Sequence, residues 1–348
     1  MVRRTAVAPP AVVTMHDLSQ AKFSFVTRTV NTPGTTLSAP RRRPVQGDVV
    51  VTRVVRLGQH RALEDRHGRR VRLYPGDLVV GAYGNRYATD FYEGYVPTGP
   101  RTHLLTAGGL IGTVASADAR RGPATDLEVV GVLAGGDGSA LNLADFDHPV
   151  PPAASPPPAT VVVVGSSMNA GKTTTVAGVI RGWTRAGLVV GAGKATGSGS
   201  GKDRWVYIDA GAHATVDFLD FGMPSTFGYP TDHLVTTMQR IRDALAAAGA
   251  THVVIEIADG LLQPQTRELL GALPGFADAV LLAVGDALGA VGAQQVLASA
   301  GIAAAGLSGL VSRSPLAARE AEAATGLPVL SPEQLAEGAV LDLLAAVT

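Results

Sequence analysis

The densest chemical signal in the chain is Gly165-Ser-Ser-Met-Asn-Ala-Gly171-Lys172-Thr173-Thr174, which directly follows four consecutive valines, Val161–Val164. A buried strand that stops at a glycine, then a loop of small residues, then a helix is the order needed to bind phosphate. The loop's backbone N–H groups converge on the anion, and the helix aims its N-terminus at the same point. Lys172 adds a mobile positive charge for the outer phosphates, and Thr173 offers a hydroxyl to Mg²⁺. The expected nucleotide contacts are Ser167, Met168, Asn169, Ala170, Gly171, Lys172, Thr173 and Thr174, with ATP as the expected ligand and GTP also compatible. The competing reading, a chance Gly-Lys-Thr in an ordinary strand–helix turn, does not explain the flanking elements.

Two acids could complete such a site. Glu256 closes the apolar run His252–Ile257 and reads as a Walker-B-like carboxylate for Mg²⁺ or its water. Left unpaired, a buried carboxylate there would be costly, so it needs a metal or a hydrogen-bond partner. Asp203 ends the Gly/Ser-rich stretch Thr196–Asp203, expected to be a mobile loop near the phosphates, where Lys202 could touch the γ-phosphate or a substrate. The expected catalytic set is Lys172, Lys202, Asp203 and Glu256, and the expected metal ligands are Thr173, Asp203 and Glu256. The blander alternatives are a flexible surface loop and a structural glutamate. Asp259, ahead of Gly260-Leu261-Leu262, is a candidate substrate contact.

Weaker constellations also occur. Asp209, His213, Asp217 and Asp220 mix carboxylates with a histidine at irregular spacing, which suits a polar loop or helix cap better than a metal site. Tyr83, Tyr87, Phe91, Tyr92 and Tyr95 crowd around Arg86 and Asp90, either as core packing or as a substrate or partner surface. His103 reads as a strand residue rather than a catalyst.

Five residues, not the usual four, separate Gly165 from Gly171. In this the chain resembles the dethiobiotin synthetase-like branch of P-loop proteins, whose loop has the same G-x5-G-K-T form. Glu256-Ile-Ala-Asp-Gly-Leu-Leu-Gln-Pro264 is similar to that family's E-G-A-G-G-L-L-x-P, and Leu288-Gly289 matches a Leu-Gly pair after a late strand. The resemblance covers residues 160–330. It implies that the nucleotide base lies near Ser312–Pro315, with Arg313 and Pro315 as contacts, and that a carboxylate from the Asp203 region approaches Mg²⁺. The loop carries Ser167 and Asn169 where the family has acids, and Lys194-Ala195-Thr196-Gly197 only partly echoes its K-P-V-x-T-G segment. The implied activity is therefore that of a relative acting on a different substrate.

These residues need a scaffold, and the pattern along the chain supplies one. Pro149–Ala159, PVPPAASPPPA, reads as a semi-rigid spacer. After it, strands and helices alternate: strands at Thr160–Gly165, Leu188–Gly193, Trp205–Ile208, His252–Ile257, Ala279–Val284 and Ala305–Val311, with helices at Gly171–Ala186, Thr231–Ala248, Leu288–Ala300 and Pro315–Thr325. A closing helix follows Ser331-Pro332-Glu333. This predicts an α/β domain, a parallel sheet flanked by helices, over 160–348. Before it, residues 45–148 hold short strands with Gly-rich turns: Asp48–Leu57, a hairpin over Arg61–Leu73, Leu78–Gly81, His103–Thr106, Leu110–Ala115 and Leu127–Leu133. These predict a small all-β barrel or sandwich. Residues 1–44, rich in Pro, Thr and Arg, read as an irregular segment draped over it.

The chain's 348 residues suffice for two cores, and its formal net charge of zero removes the usual electrostatic case for nucleic acid or an anionic membrane as partner. Cysteine is absent, which excludes disulfides, thiolate metal sites and cysteine nucleophiles and points to the cytoplasm. No stretch resembles a secretion signal or membrane span. The leading expectation is a Mg²⁺-dependent ATP-using enzyme acting on a small molecule, a kinase or a ligase with a phosphorylated intermediate, expected as a homodimer. The alternative is a regulatory or chaperone-like NTPase switch whose Thr196–Asp203 segment acts on a protein partner.

Overall fold

The computed structural model describes residues 18–150, 152 and 156–345. Much of the Pro-rich spacer and the first part of the N-terminal segment lie outside the described residues. The front part contains β1 (Lys22–Phe23), β2 (Thr36–Ser38), β3 (Val49–Arg56), β4 (Ala62–Glu64), β5 (Arg70–Arg72), β6 (Leu78–Tyr83), β7 (Tyr92–Tyr95), β8 (Arg101–Leu104), β9 (Leu110–Ala117) and β10 (Thr125–Ala134). Strands β6, β3, β10, β8 and β9 pair in that order, and β9 pairs back to β6, closing a small barrel. The other pairings around this ring are antiparallel; only the β6–β9 closure is parallel. The N-terminal segment wraps the barrel, with β1 beside β6 and β2 beside β10.

Alternation along β3 explains how the barrel meets the rest of the chain. Val50 and Val54 point into the barrel with Leu63, Leu104, Ile111 and Leu127. Val49 and Val51 face outward into a second apolar cluster, which also contains Val162, Val164, Phe218 and Leu219 from the rear part. Each such fully buried side chain contributes about 1.5–3 kcal/mol. At Gly108 an added Cβ would lie 2.0 Å from the Gly199 carbonyl oxygen, so the two backbones meet there with no room for a side chain.

The rear part is a six-stranded sheet of β11 (Ala159–Gly165), β12 (Val190–Lys194), β13 (Ala214–Asp217), β14 (His252–Glu256), β15 (Ala279–Ala283) and β16 (Gly306–Ser308). Its order is β13-β12-β14-β11-β15-β16 and every pairing is parallel. The four valines of β11 serve both faces: Val161 and Val163 pack with Ile180 and Trp183, while Val162 and Val164 pack with Ile255 and Leu297. Its helices are α1 (Lys172–Arg185), α2 (Gly201–Ala210), α3 (Thr231–Ala247), α4 (Pro264–Leu269), α5 (Ala287–Ser299), α6 (Pro315–Thr325), α7 (Pro332–Gln334), capped by Ser331 as expected, and α8 (Val340–Ala345).

Two expectations are corrected. The run 205–208 is not a strand but the centre of α2, capped by Ser200 at its start and by Gly211 at its end. Its four consecutive apolar residues, Trp205-Val206-Tyr207-Ile208, imitated a buried strand, yet the Ser cap and terminal Gly set the helix. Conversely, Ala214–Asp217, where the residue pattern predicts no strand, is the edge strand β13, while of the polar-loop and helix-cap readings of its acids the cap is the one the structure carries. Asp217 then caps a short 3-10 turn and shares Arg28 with Asp220, at 2.9 and 2.8 Å, so these acids form a structural ion-pair cluster. His213 lies apart from it, its ring Nε2 3.1 Å from the Ala248 carbonyl oxygen.

Candidate functional site

The loop between β11 and α1 is built as its residue types demand. Gly171 has φ 105°, and a Cβ there would lie 2.7 Å from Gly309 Cα, so only glycine lets the loop turn against the segment after β16. Asn169 adopts φ 60° at the loop's apex and donates its side-chain amide to the Asp90 carboxylate of the barrel at 2.8 Å. The Ala170 carbonyl accepts the Leu310 N–H at 3.0 Å. Lys172 folds back along the loop, its ammonium donating to the Ser167 carbonyl at 2.9 Å and the Asp259 carbonyl at 2.6 Å. Burial lowers its pKa against the opposing pull of Glu256 and Asp259. A triphosphate entering the loop would exchange those two carbonyls for phosphate oxygens, a stronger pairing for an ammonium.

Beside the loop runs a chain of charged contacts. The Thr173 hydroxyl lies 3.4 Å from an Asp203 carboxylate oxygen. The other Asp203 oxygen receives the Lys194 ammonium, which also stands 3.9 Å from Glu256. Glu256, 2% exposed, accepts the Tyr207 hydroxyl at 2.6 Å. Burial alone would lower the Lys194 pKa, but Asp203 and Glu256 outweigh it and raise it. Burial likewise pushes Asp203 upward, and Lys194 overrides it, leaving that carboxyl below its ordinary range. Burial raises the Tyr207 phenol well above its usual value, with the Glu256 charge adding to it, so it serves as a fixed donor.

The hydroxyl of Thr173 and the carboxylates of Asp203 and Glu256 are hard oxygen donors of the kind Mg²⁺ prefers. Among the described residues no group of three or more His, Asp or Glu is placed to hold a metal.

Met168, Asn169, Gly171, Lys172, Thr173, Thr174, Lys202, Asp203, Glu256 and Arg313 all line one cleft of about 470 Å³. Three expected contacts fall outside that lining: Ser167 supplies its carbonyl to Lys172, Ala170 is buried beneath the loop, and Pro315 heads α6. The segment expected to be a mobile loop is instead held. Gly199 N–H bonds the Pro224 carbonyl, Gly197 N–H bonds the Thr226 hydroxyl, and α2 begins at Gly201.

The cleft's opposite wall comes from the barrel: His60, Glu64, Arg70, Arg86, Tyr87 and the turn 106–108. Glu64, 5% exposed, accepts the Gly201 N–H at 2.8 Å and the Ser200 hydroxyl at 3.1 Å, so a barrel carboxylate sits on the N-terminus of α2. Trp205 donates its indole N–H to the His67 carbonyl at 2.8 Å, a second tie between α2 and the barrel. The aromatic cluster divides by role: Tyr83 and Tyr92 are buried, whereas Tyr87 lines the cleft against Phe227, with ring centroids 5.3 Å apart.

Sequence reasoning missed Lys194, Tyr207, His60 and Glu64. Lys194 alone left a trace, in the segment that echoes a lysine-led motif. The other three become visible only once α2 and the barrel close on the loop.

No family model matches the chain, and no curated protein matches it. Solved structures that resemble it include the signal recognition particle 54 kDa protein of Aeropyrum pernix K1 in complex with GDP, at 18% identity and a TM-score of 0.38, covering 57% of this chain and 50% of that one. The signal recognition particle receptor FtsY of Elizabethkingia anophelis matches at 18% identity and a TM-score of 0.34, over 56% of this chain and 68% of that one. FtsY of Thermotoga maritima matches at 19% identity and a TM-score of 0.34, over 58% of this chain and 73% of that one. The chain thus spans half the length of the first of these. Such scores carry no argument about ligand, reaction or partner. The strand, loop and helix described above place the chain in the P-loop nucleotide-binding fold.

Proposed function

We propose that this protein is a Mg²⁺-dependent enzyme that uses a nucleoside triphosphate, ATP in the first instance and GTP as the alternative, to act on a small molecule. One observation carries this: the phosphate loop does not end at solvent but opens into a polar cleft whose far wall is built by the barrel. Lys172 and the loop N–H groups would hold the outer phosphates, with Arg313 beside the base. Mg²⁺, bound through Thr173, Asp203 and Glu256, would neutralise phosphate charge.

Asp259 stands in the same cleft with φ 64°. Burial raises its pKa, against Lys172, Lys194 and Arg86, and its place in the cleft suits a substrate contact. The G-x5-G-K-T loop and the Glu256–Pro264 stretch support a dethiobiotin synthetase-like kinase or ligase working on a different substrate. A cytoplasmic homodimer built of an N-terminal segment, a barrel (45–148), a spacer (149–159) and a P-loop domain (160–348) completes the reading. No helix among the described residues is long and apolar enough to cross a membrane.

The test is Mg²⁺-dependent diphosphate formation screened against small carboxylates and amines. A stimulating metabolite, with turnover lost in Lys172→Ala, is the expected result. A wild type that binds nucleotide but that no metabolite stimulates would sink the enzyme reading. The second reading, a nucleotide-controlled switch, draws on the Glu64–Gly201 and Trp205–His67 ties, through which movement of Asp203 would pull on the barrel. It predicts slow basal hydrolysis and nucleotide-dependent changes in partner affinity or oligomeric state.

A further inference from the structure

Arg28 and Arg86 are both drawn in from solvent, yet their circumstances differ sharply. Arg28 meets two carboxylates, Asp217 and Asp220, as a structural guanidinium should. Arg86 meets none: among the described residues no carboxylate stands within ion-pair distance of it, and its side chain donates from Nη1 to the Leu105 carbonyl. The nearest acid on its own element, Asp90, is taken by Arg121 at 3.8 Å and by Asn169 at 2.8 Å. Arg86 is held from one side by rings, its Cζ 4.6 Å from the centroid of Phe91 and 5.9 Å from that of Tyr92. Phe91 in turn stacks on His60, with centroids 5.0 Å apart.

This rigid backing leaves the free face of the guanidinium lining the cleft opposite the phosphate loop. Burial lowers the Arg86 pKa to about 10, although Asp90, Tyr92 and Asp259 act at longer range to raise it. His60 cannot share the load. Burial and the Arg86 charge push its pKa down to about 4, and its Nε2 lies 3.0 Å from the same Leu105 carbonyl, so at neutral pH it is an uncharged donor to that oxygen.

Resting on the P-loop reading above, we infer that Arg86 is an oxyanion-binding residue that completes the cleft from the barrel side. Its ligand is a phosphoryl or carboxylate group lying between Arg86 and Lys172. A planar fork fixed on aromatic rings and lacking a protein carboxylate suits such a group better than a lysine would. Two sources can supply it: the terminal phosphate of the nucleotide, or the charged head of the second substrate.

The experiment compares wild type, Arg86→Gln and Arg86→Lys in the full chain by calorimetry. Three affinities are measured: Mg·ADP, Mg·ATPγS, and inorganic phosphate added to the Mg·ADP-loaded protein. Mg·ADP should bind all three proteins alike. If the nucleotide is the source, the preference for Mg·ATPγS over Mg·ADP falls about tenfold in Arg86→Gln. If a second substrate is the source, that preference holds while inorganic phosphate binding falls by a similar factor. If both are unchanged in Arg86→Gln, the inference is overturned.

Should Arg86→Gln fail to fold, wild type decides. A wild type that binds Mg·ADP but shows neither a triphosphate preference nor phosphate binding also overturns it. Failure of wild type to bind Mg·ADP at all overturns the P-loop reading itself, and so separates the two failures.

Discussion

Replacing Lys194 with methionine would keep most of the side chain's volume and remove only its ammonium. In the wild type that ammonium lies 3.9 Å from Glu256 and closer still to Asp203, whose side chain is 17% exposed against 3% for Glu256. A unit pair at this separation is worth about 4 kcal/mol at an effective dielectric of about 20. The Asp203 contact adds to that, while methionine is spared the desolvation of a buried ammonium. The net loss for stranding two buried carboxylates should be about 3–5 kcal/mol. Denaturant unfolding followed by the fluorescence of Trp183, which is fully buried against β11, would report it.

The pH dependence has a definite sign. Asp203 is depressed in the folded protein, so its stabilising contribution is present above the unfolded carboxylate pKa of about 3.9 and is lost as pH falls through the lower folded value. The gap between wild type and Lys194→Met should therefore be full at pH 7 and shrink in acid. Mg²⁺ should stabilise the variant more than the wild type, because in the variant it no longer has to displace the Lys194 ammonium from the two carboxylates. A variant within about 1 kcal/mol of wild type at pH 7, or a gap that ignores pH, would refute the idea that Lys194 restrains this pair.

Lys172→Ala should weaken Mg·nucleotide binding about 10- to 150-fold in a fluorescent-nucleotide titration, since it removes a charged hydrogen-bond donor. Gly171→Ala should cost about 2 kcal/mol in a thermal melt and abolish nucleotide binding, because φ 105° and a contact 2.7 Å from Gly309 Cα leave the methyl no place. Arg28→Met strands Asp217 and Asp220 and should destabilise the protein by about 3–5 kcal/mol without changing nucleotide affinity. His60, held near pKa 4 against an unfolded value of about 6.5, favours the folded state fully above pH 6.5 and loses about 3 kcal/mol as pH falls to 4. His60→Phe should lose less stability over that interval, and an NMR titration of the imidazole should show the depressed value directly.

The phosphate loop was legible because its requirements are local: four valines, a Gly-bounded turn and a helix-forming run lie within one stretch of chain. The barrel was legible from its alternation and turns, as in Val49–Arg56 and the Gly68 turn. Helix α2 was misread because the continuous apolar run 205–208 looks like a buried strand, and its cap sits among glycines and serines that equally suit a loop. The missed half of the site failed for another reason. Glu64 precedes Gly201 by well over a hundred residues, and Arg86 and Lys194 belong to different parts of the chain, so no spacing rule connects them. Their meeting depends on which face of the barrel turns toward the sheet, and that is decided by Val49, Val51, Val80 and Ala82 packing on the rear part.

That shared face also has a consequence for biosynthesis. The barrel precedes the P-loop sheet in the chain, so it emerges from the ribosome first, carrying an outer surface of Val49, Val51, Val80 and Leu133 that Phe25, Val26 and Val30 of the N-terminal segment cover only in part. Until residues as far along as Leu219 and Met223 are made, the rest of that surface faces water. A ribosome stalled within the spacer should expose an apolar, chaperone-binding nascent chain. Release of the full-length polypeptide should be the step that turns the barrel from a sticky intermediate into the wall of a cleft.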